Sequence, residues 1–140
     1  MQAEKYYRSN CPINLAVEVI GDKWTLLIIR DLMFEDKRHF REFLGGEENI
    51  ASNILADRLS MLETEGIVSK KKDPTHKQKF LYSLTAKGID LLPVIIELGA
   101  WSMKYQPVDK ERFAHAGQLA KAGKPAKRKL RSELAKKHLK

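Results

Sequence analysis

The sequence is short of most things that would assign it a chemistry. It has one cysteine in 140 residues, Cys11, so no disulfide forms within the chain, in keeping with a reducing compartment. No apolar run approaches the roughly 20 residues that a membrane span needs. The opening stretch, MQAEKYYRSN, lacks the apolar centre of a secretion signal, and the expected location is the cytoplasm. Four histidines, His39, His76, His115 and His138, fall one to an element with no partner at metal-ligand spacing. Glycine-rich phosphate loops, nucleophile elbows and HExxH motifs are absent. An enzyme therefore has no residues to rest on, and no metal or cofactor is expected.

What is present suits one modest globular domain with something added. Hydrophobic residues make up 43% of the chain, enough for a core. The net charge of +8 is unevenly spread. Over residues 1–106, 15 Lys+Arg balance 15 Asp+Glu, whereas residues 107–140 hold 11 basic and 3 acidic residues. The whole excess sits on the end of the chain. Any basic surface on the body has to come from local clustering, which singles out the run SKKKD.

Three divisions follow: an arm over 1–10, a domain over 11–106 and a basic tail over 107–140. CPINLAVEVIG reads as a first helix, with Pro12 in its first turn and Gly21 as a left-handed stop. DKWTLLIIRDLMF reads as a second, with Asp22 as N-cap and Trp24 as a core anchor. HFREFLGG is a third and shorter one. In the fourth, Leu55, Leu59 and Leu62 fall at i, i+4 and i+7, one face of an α-helix, and Gly66 closes it. IVSKKKD and KFLYSL are strands joined by PTHKQK, in which Pro74 forbids continuation. Thr85 caps a last long helix, AKGIDLLPVIIELGAWSMKY, with Pro93 as an interior kink. Beyond Pro107 the chain is Ala/Lys-rich with few large apolar groups, and disorder or short fraying helices are expected.

The expected fold class is thus mainly α with a small β-hairpin wing, a winged helix-turn-helix. A helix enters the ~12 Å major groove of DNA if its inner face is anchored and its outer face is short and polar. The outer positions of the fourth helix are Ser52, Asn53, Ala56, Asp57 and Ser60. Gly66 then turns the chain so that the hairpin projects beside that helix. Lys70, Lys71, Lys72, Lys77 and Lys79, opposed only by Asp73, make the hairpin a cationic arm suited to a phosphate backbone. The partner this implies is double-stranded DNA. A first and a last helix that are apolar on more than one face leave surface uncovered in a monomer, which predicts a homodimer pairing through those helices.

CPINLAVEVIGDKWTLLIIRDL, HFREF, NILADRLSMLETEGIV and YSLTAKGIDLLPVIIELGAW, in that order, resemble the HxlR-type family of bacterial winged-helix transcription regulators, which are MarR-like. The likeness covers residues 11 to about 104. It implies a homodimer on a pseudo-palindromic operator, with Lys23, Arg38, Arg58 and the wing lysines on the DNA backbone and Ser52 and Asn53 opening the recognition helix. Where family members usually carry a serine cap this chain has Ala51, leaving Asn49 or Ser52 as the candidate cap. The matching cysteine in some family members senses electrophiles or oxidants. Cys11, ahead of Pro12 at a helix start, is accordingly a candidate redox sensor, with an oxidant or small molecule as effector; the alternative is a small packing residue at the dimer interface.

Other residues keep two meanings at this level. Arg58 either contacts DNA or pairs with Glu65 or Glu63 on its own helix. Asp57 either accepts from a cytosine amino group or points away from DNA. The tail is a non-specific nucleic-acid arm or a solubilising extension. If the tail did the binding and the body only dimerised, the protein would be an architectural or RNA-associated basic protein with little sequence preference.

Overall fold

The computed structural model describes residues 6–139. Of the expected N-terminal arm, residues 1–5 lie outside the described residues, as does Lys140 at the other end. Among the described residues the order is α1 (Pro12–Ile20), α2 (Thr25–Phe34), α3 (Phe40–Leu44), α4 (Ser52–Thr64), β1 (Val68–Lys72), β2 (Phe80–Leu84), α5 (Ala86–Ile89), α6 (Leu92–Tyr105), α7 (Ala114–Lys121) and α8 (Lys124–His138). The chain is mainly helical with a two-stranded antiparallel hairpin, a winged helix-turn-helix with two helices appended. No helix among the described residues is long and apolar enough to cross a membrane.

The periodic leucines of α4 are the centre of the core. Leu55, Leu59 and Leu62 are fully enclosed and meet Ile28, Ile29, Leu32 and Met33 of α2, Phe43 of α3 and Ile67 and Val68 at the start of β1. Each buried leucine contributes roughly 1.5–3 kcal/mol. The hairpin registers Val68 on Leu84, Lys70 on Tyr82 and Lys72 on Phe80. Its base is apolar, with Val68, Tyr82 and Leu84 buried, while its far half carries the lysines out of the core.

Two glycines fix how the hairpin leaves α4. Gly66 has φ +73°, a left-handed conformation that a side chain strains. Gly88 in α5 packs so closely that a Cβ would lie 2.3 Å from the Ile67 carbonyl oxygen. Thr85 ties the same corner: its hydroxyl donates to the Gly66 and Ile67 carbonyls and accepts from the Gly88 N–H, the expected cap.

Several expectations need correction. Gly21 ends α1 with φ −81°, in the right-handed region instead of the left-handed one. Pro93 does not kink one long helix; that segment is two helices, and Pro93 lies in the first turn of α6, where its missing N–H is no loss. Trp24 is half-buried instead of a core anchor, and α2 starts at Thr25, with Asp22 accepting from the Trp24 and Thr25 N–H groups. The segment 107–139 is neither disordered nor limited to short fraying helices. It forms α7 against α6 and a 15-residue α8 whose Leu130, Leu134 and His138, spaced four apart, face the body. Leu134 enters the core, and the His138 ring accepts the Leu84 N–H (3.0 Å) and donates to the Leu32 carbonyl (3.1 Å). Lys137–Asp36 and Arg131–Asp90 ion pairs flank it.

Apolar surface remains outside. None of the nine residues of α1 is buried, and Ile13 and Val17 are exposed. On α6, Val94, Leu98, Trp101 and Tyr105 form one exposed stripe at spacings of four, three and four.

Candidate nucleic-acid interface

The surface opposite the core leucines of α4 is open. Ser52, Asn53, Ala56, Asp57 and Ser60 are all exposed, as the helical period requires. Ala51 stands at the N-cap and no side chain caps the helix; neither Asn49 nor Ser52 does so. Asn49 instead takes a left-handed turn (φ +56°), and Ser52 is the first helical residue. The first-turn N–H groups thus carry the partial positive charge of a helix start without a side-chain acceptor. The turn before α4 is held by Arg30, which donates two hydrogen bonds to Glu48 (2.9 and 3.0 Å) and also pairs with Asp31.

Beside α4, the hairpin presents Lys70, Lys71, Lys72, Lys77 and Lys79, all exposed. Lys70 and Lys72 project from one side of the ribbon and Lys71 from the other. The Lys70 ammonium lies 4.2 Å from the Phe80 ring centre, which holds its stem along the ribbon. Asp73, which by sequence opposes these charges, is turned inward and buried. It accepts from the Thr75 N–H (2.8 Å), the Thr75 hydroxyl (2.7 Å) and His39 Nε2 (2.7 Å). Those hydrogen bonds hold its carboxyl far below the usual carboxylate range. His39 is the link: its Nδ1 lies 2.9 Å from Glu42, so one imidazole ties the start of α3 to the hairpin tip. The Asp73 hydrogen bond, with Glu42 adding to it, raises the His39 pKa against a smaller effect of burial.

Two arginines expected on the DNA backbone are engaged by the protein. Arg38 donates to the Tyr82 carbonyl (2.7 Å) and the Ser83 hydroxyl (2.5 Å), while its own carbonyl accepts the Tyr82 N–H (2.8 Å). It braces β2 along the strand edge. Arg58 turns to Asp22 and Asp57: its Nε donates to Asp22 (3.0 Å) and its guanidinium also pairs with Asp57. Partial burial pushes the Asp22 carboxyl up, but the Thr25 hydroxyl, the Trp24 and Thr25 N–H groups and Arg58 outweigh it and hold the pKa at about 2. Arg58 therefore locks α4 to the start of α2. Lys23, next to that lock, is exposed, with its ammonium 5.2 Å from the Trp24 ring centre. The structure thus brings Lys23, Ser52, Asn53 and the wing lysines to open surface and gives Arg38 and Arg58 protein partners. The roles of Asp22 toward Arg58 and of His39 toward Asp73 carry no local signal, since those partners are 36 and 34 positions apart.

Cys11 is exposed at the N-cap of α1, and the Asn14 and Ile13 N–H groups lower its thiol pKa. No group of three or more His, Cys, Asp or Glu side chains among the described residues is arranged to hold a metal ion.

Comparison with known proteins points the same way. A model of the HxlR-like helix-turn-helix family matches residues 19–110. The HTH-type transcriptional regulator sll1512 of Synechocystis sp. is 34% identical over 88 residues, 63% of this chain and 64% of that protein. The HTH-type transcriptional regulator YodB of Bacillus subtilis is 36% identical over 96 residues, 68% of this chain and 85% of that one. The solved reduced form of YodB matches with a TM-score of 0.58 and 34% identity, covering 72% of this chain and 100% of that one. The redox regulator HypR in its oxidized form matches with a TM-score of 0.62 and 30% identity, covering 70% and 100%. The family match ends before α7 and α8 begin.

Proposed function

Because the chain belongs to the HxlR-like helix-turn-helix family of transcriptional regulators, we propose that it acts as a homodimer on a pseudo-palindromic operator in double-stranded DNA. One observation carries this: the exposed, short-side-chain face of α4 stands beside a hairpin bearing five exposed lysines whose single carboxylate is turned inward. Ser52 and Asn53 read base edges in the major groove, and Lys23, Lys70, Lys71, Lys72, Lys77 and Lys79 meet phosphates on either side. Arg38 and Arg58 act by positioning: the first sets the angle of the wing and the second the angle of α4. The exposed faces of α1 and α6 pair across a two-fold axis, which sets two reading helices about 34 Å apart, one turn of DNA.

Footprinting of bound chromosomal sites followed by gel-shift titration tests this. The site recovered is two-fold symmetric and preferred over random DNA by ~10³-fold or more. Asn53→Ala flattens that preference, and charge reversal of Lys70, Lys71 and Lys72 removes binding altogether. Uniform affinity for all sequences would instead mean an architectural or RNA-associated protein.

Cys11 gives the regulator its effector site in this proposal. The thiol is exposed and its thiolate is favoured at the helix start, where oxidants and electrophiles reach it. YodB has been solved in reduced, diamide-treated and quinone-bound forms, so a relative of this fold meets both reagents. Diamide or a quinone weakens operator binding by the wild type and leaves Cys11→Ser unaffected. Equal behaviour of the two proteins removes the sensing role.

A further inference from the structure

The helix that lies beyond the family match does more than cover the body. Between α8 and the first turns of α6 lies a cleft of about 240 Å³. Leu92, Pro93 and Ile96 of α6 form its floor, and Lys124, Lys127 and Arg128 of α8 stand along its rim. We propose that this cleft binds a lipophilic carboxylate, with the apolar body on the α6 floor and the carboxylate toward the α8 cations.

Three features favour that occupant. The first is charge: four cations line the cleft against one carboxylate, Glu97. Arg131 is the cation already answered, by Asp90 at 2.5 Å. Among the described residues, Lys124, Lys127 and Arg128 have no carboxylate partner. Lys127 is also half-buried, so its stem is held along the cleft. The second is the floor: three adjacent aliphatic side chains offer no hydrogen bond, so a bare phosphate or sugar would gain nothing from them. The third is size. Ligand pockets usually run from about 300 to 1,000 Å³, so this one suits a body of one or two rings or a medium chain. Glu97 sits on the α6 side and repels the charged end, which fixes the orientation of the ligand as carboxylate toward α8.

The test is calorimetric titration of the full-length protein with 2-naphthoate, its neutral counterpart 2-naphthalenemethanol and inorganic phosphate. Naphthoate binds saturably at one site per chain, the alcohol binds about tenfold more weakly, and phosphate does not saturate. Lys127→Gln with Arg128→Gln weakens naphthoate about tenfold, while Glu97→Gln tightens it. Leu134 and His138, which dock α8, are untouched by these changes. Methyl resonances of Leu92 and Ile96 in the wild type shift on addition of naphthoate, which keeps the test sound even if the double variant does not fold. No saturable binding, equal affinity for the alcohol or for phosphate, a weaker complex with Glu97→Gln, or unmoved Leu92 and Ile96 methyls would each overturn the proposal. None of these measurements involves DNA, so the outcome is independent of operator recognition.

Discussion

His39 stands between two carboxylates and His138 between two backbone groups, so protonation helps the first and harms the second. The His39 pKa is raised above its ordinary 6.5. Its contribution is therefore complete below pH 6.5 and is lost as pH rises through the higher folded value. A histidine NMR titration should find its midpoint above 6.5, and Asp73→Asn should bring it down. His138 is the opposite case. Burial, with the nearby positive charge of Arg38 adding to it, pushes its pKa down to about 4. Its contribution is complete above pH 6.5 and is lost as pH falls from there toward 4, because the unfolded chain then binds the extra proton. His138→Ala leaves the Leu84 N–H and Leu32 carbonyl without their partner and costs about 1–3 kcal/mol at pH 7. Since His39 acts in the other direction, the diagnostic is the difference in unfolding free energy between wild type and His138→Ala. That difference shrinks between pH 7 and pH 5; a constant difference would mean that the ring is not held neutral.

At the scale of elements, the corner joining α4, β1 and α5 sets where the wing points. Gly66→Ala forces a side chain into a left-handed backbone and costs about 1–2 kcal/mol, with open space around it. Gly88→Ala drives a Cβ against the Ile67 carbonyl and must displace the base of β1, so it is the more damaging change in urea unfolding. This corner was legible in sequence because each part has a local signature: leucines at helical spacing, a glycine stop, strands flanking a proline-bearing turn. The same holds for the exposed face of α4 and the wing lysines. Pro93 was misread because proline suits the first turn of a new helix as well as a kink, and apolar periodicity runs through both. Arg58 and Arg38 looked free because Asp22 and Tyr82 lie 36 and 44 positions away, beyond any local pattern. Helix α8 was missed for a different reason. Its inner stripe has only two leucines among lysines, and the third member is a histidine, which counts as polar until its two backbone partners are seen.

For the whole molecule, the unburied α1 and the stripe on α6 decide whether it works alone or in pairs. Leu98→Glu with Trp101→Glu puts two charges into that stripe without touching the core. Light scattering after gel filtration should then report a monomer, with helix content kept and operator affinity reduced; a persistent dimer would move the pairing surface elsewhere. Charge is also distributed differently from what the tail composition suggests. Helix α8 ends against Leu84, at the hairpin base, while the lysine-bearing tip is at the other end of the same strands. Its cations are therefore fixed to the body at the end of the wing remote from the tip. Leu134→Asp should release them and lower the melting temperature, measured by circular dichroism.

The bond from His138 to Leu32 joins positions 106 apart in a sequence of 140 residues. A ribosome makes the chain from its N-terminus, so the α2 end of this bond is synthesised long before its mate. The winged portion can assemble while translation continues, but the seam that α8 closes waits until α8 itself has been made. A message truncated within α8 would yield a protein that keeps the exposed face of α4 and the wing lysines but has an unsealed flank.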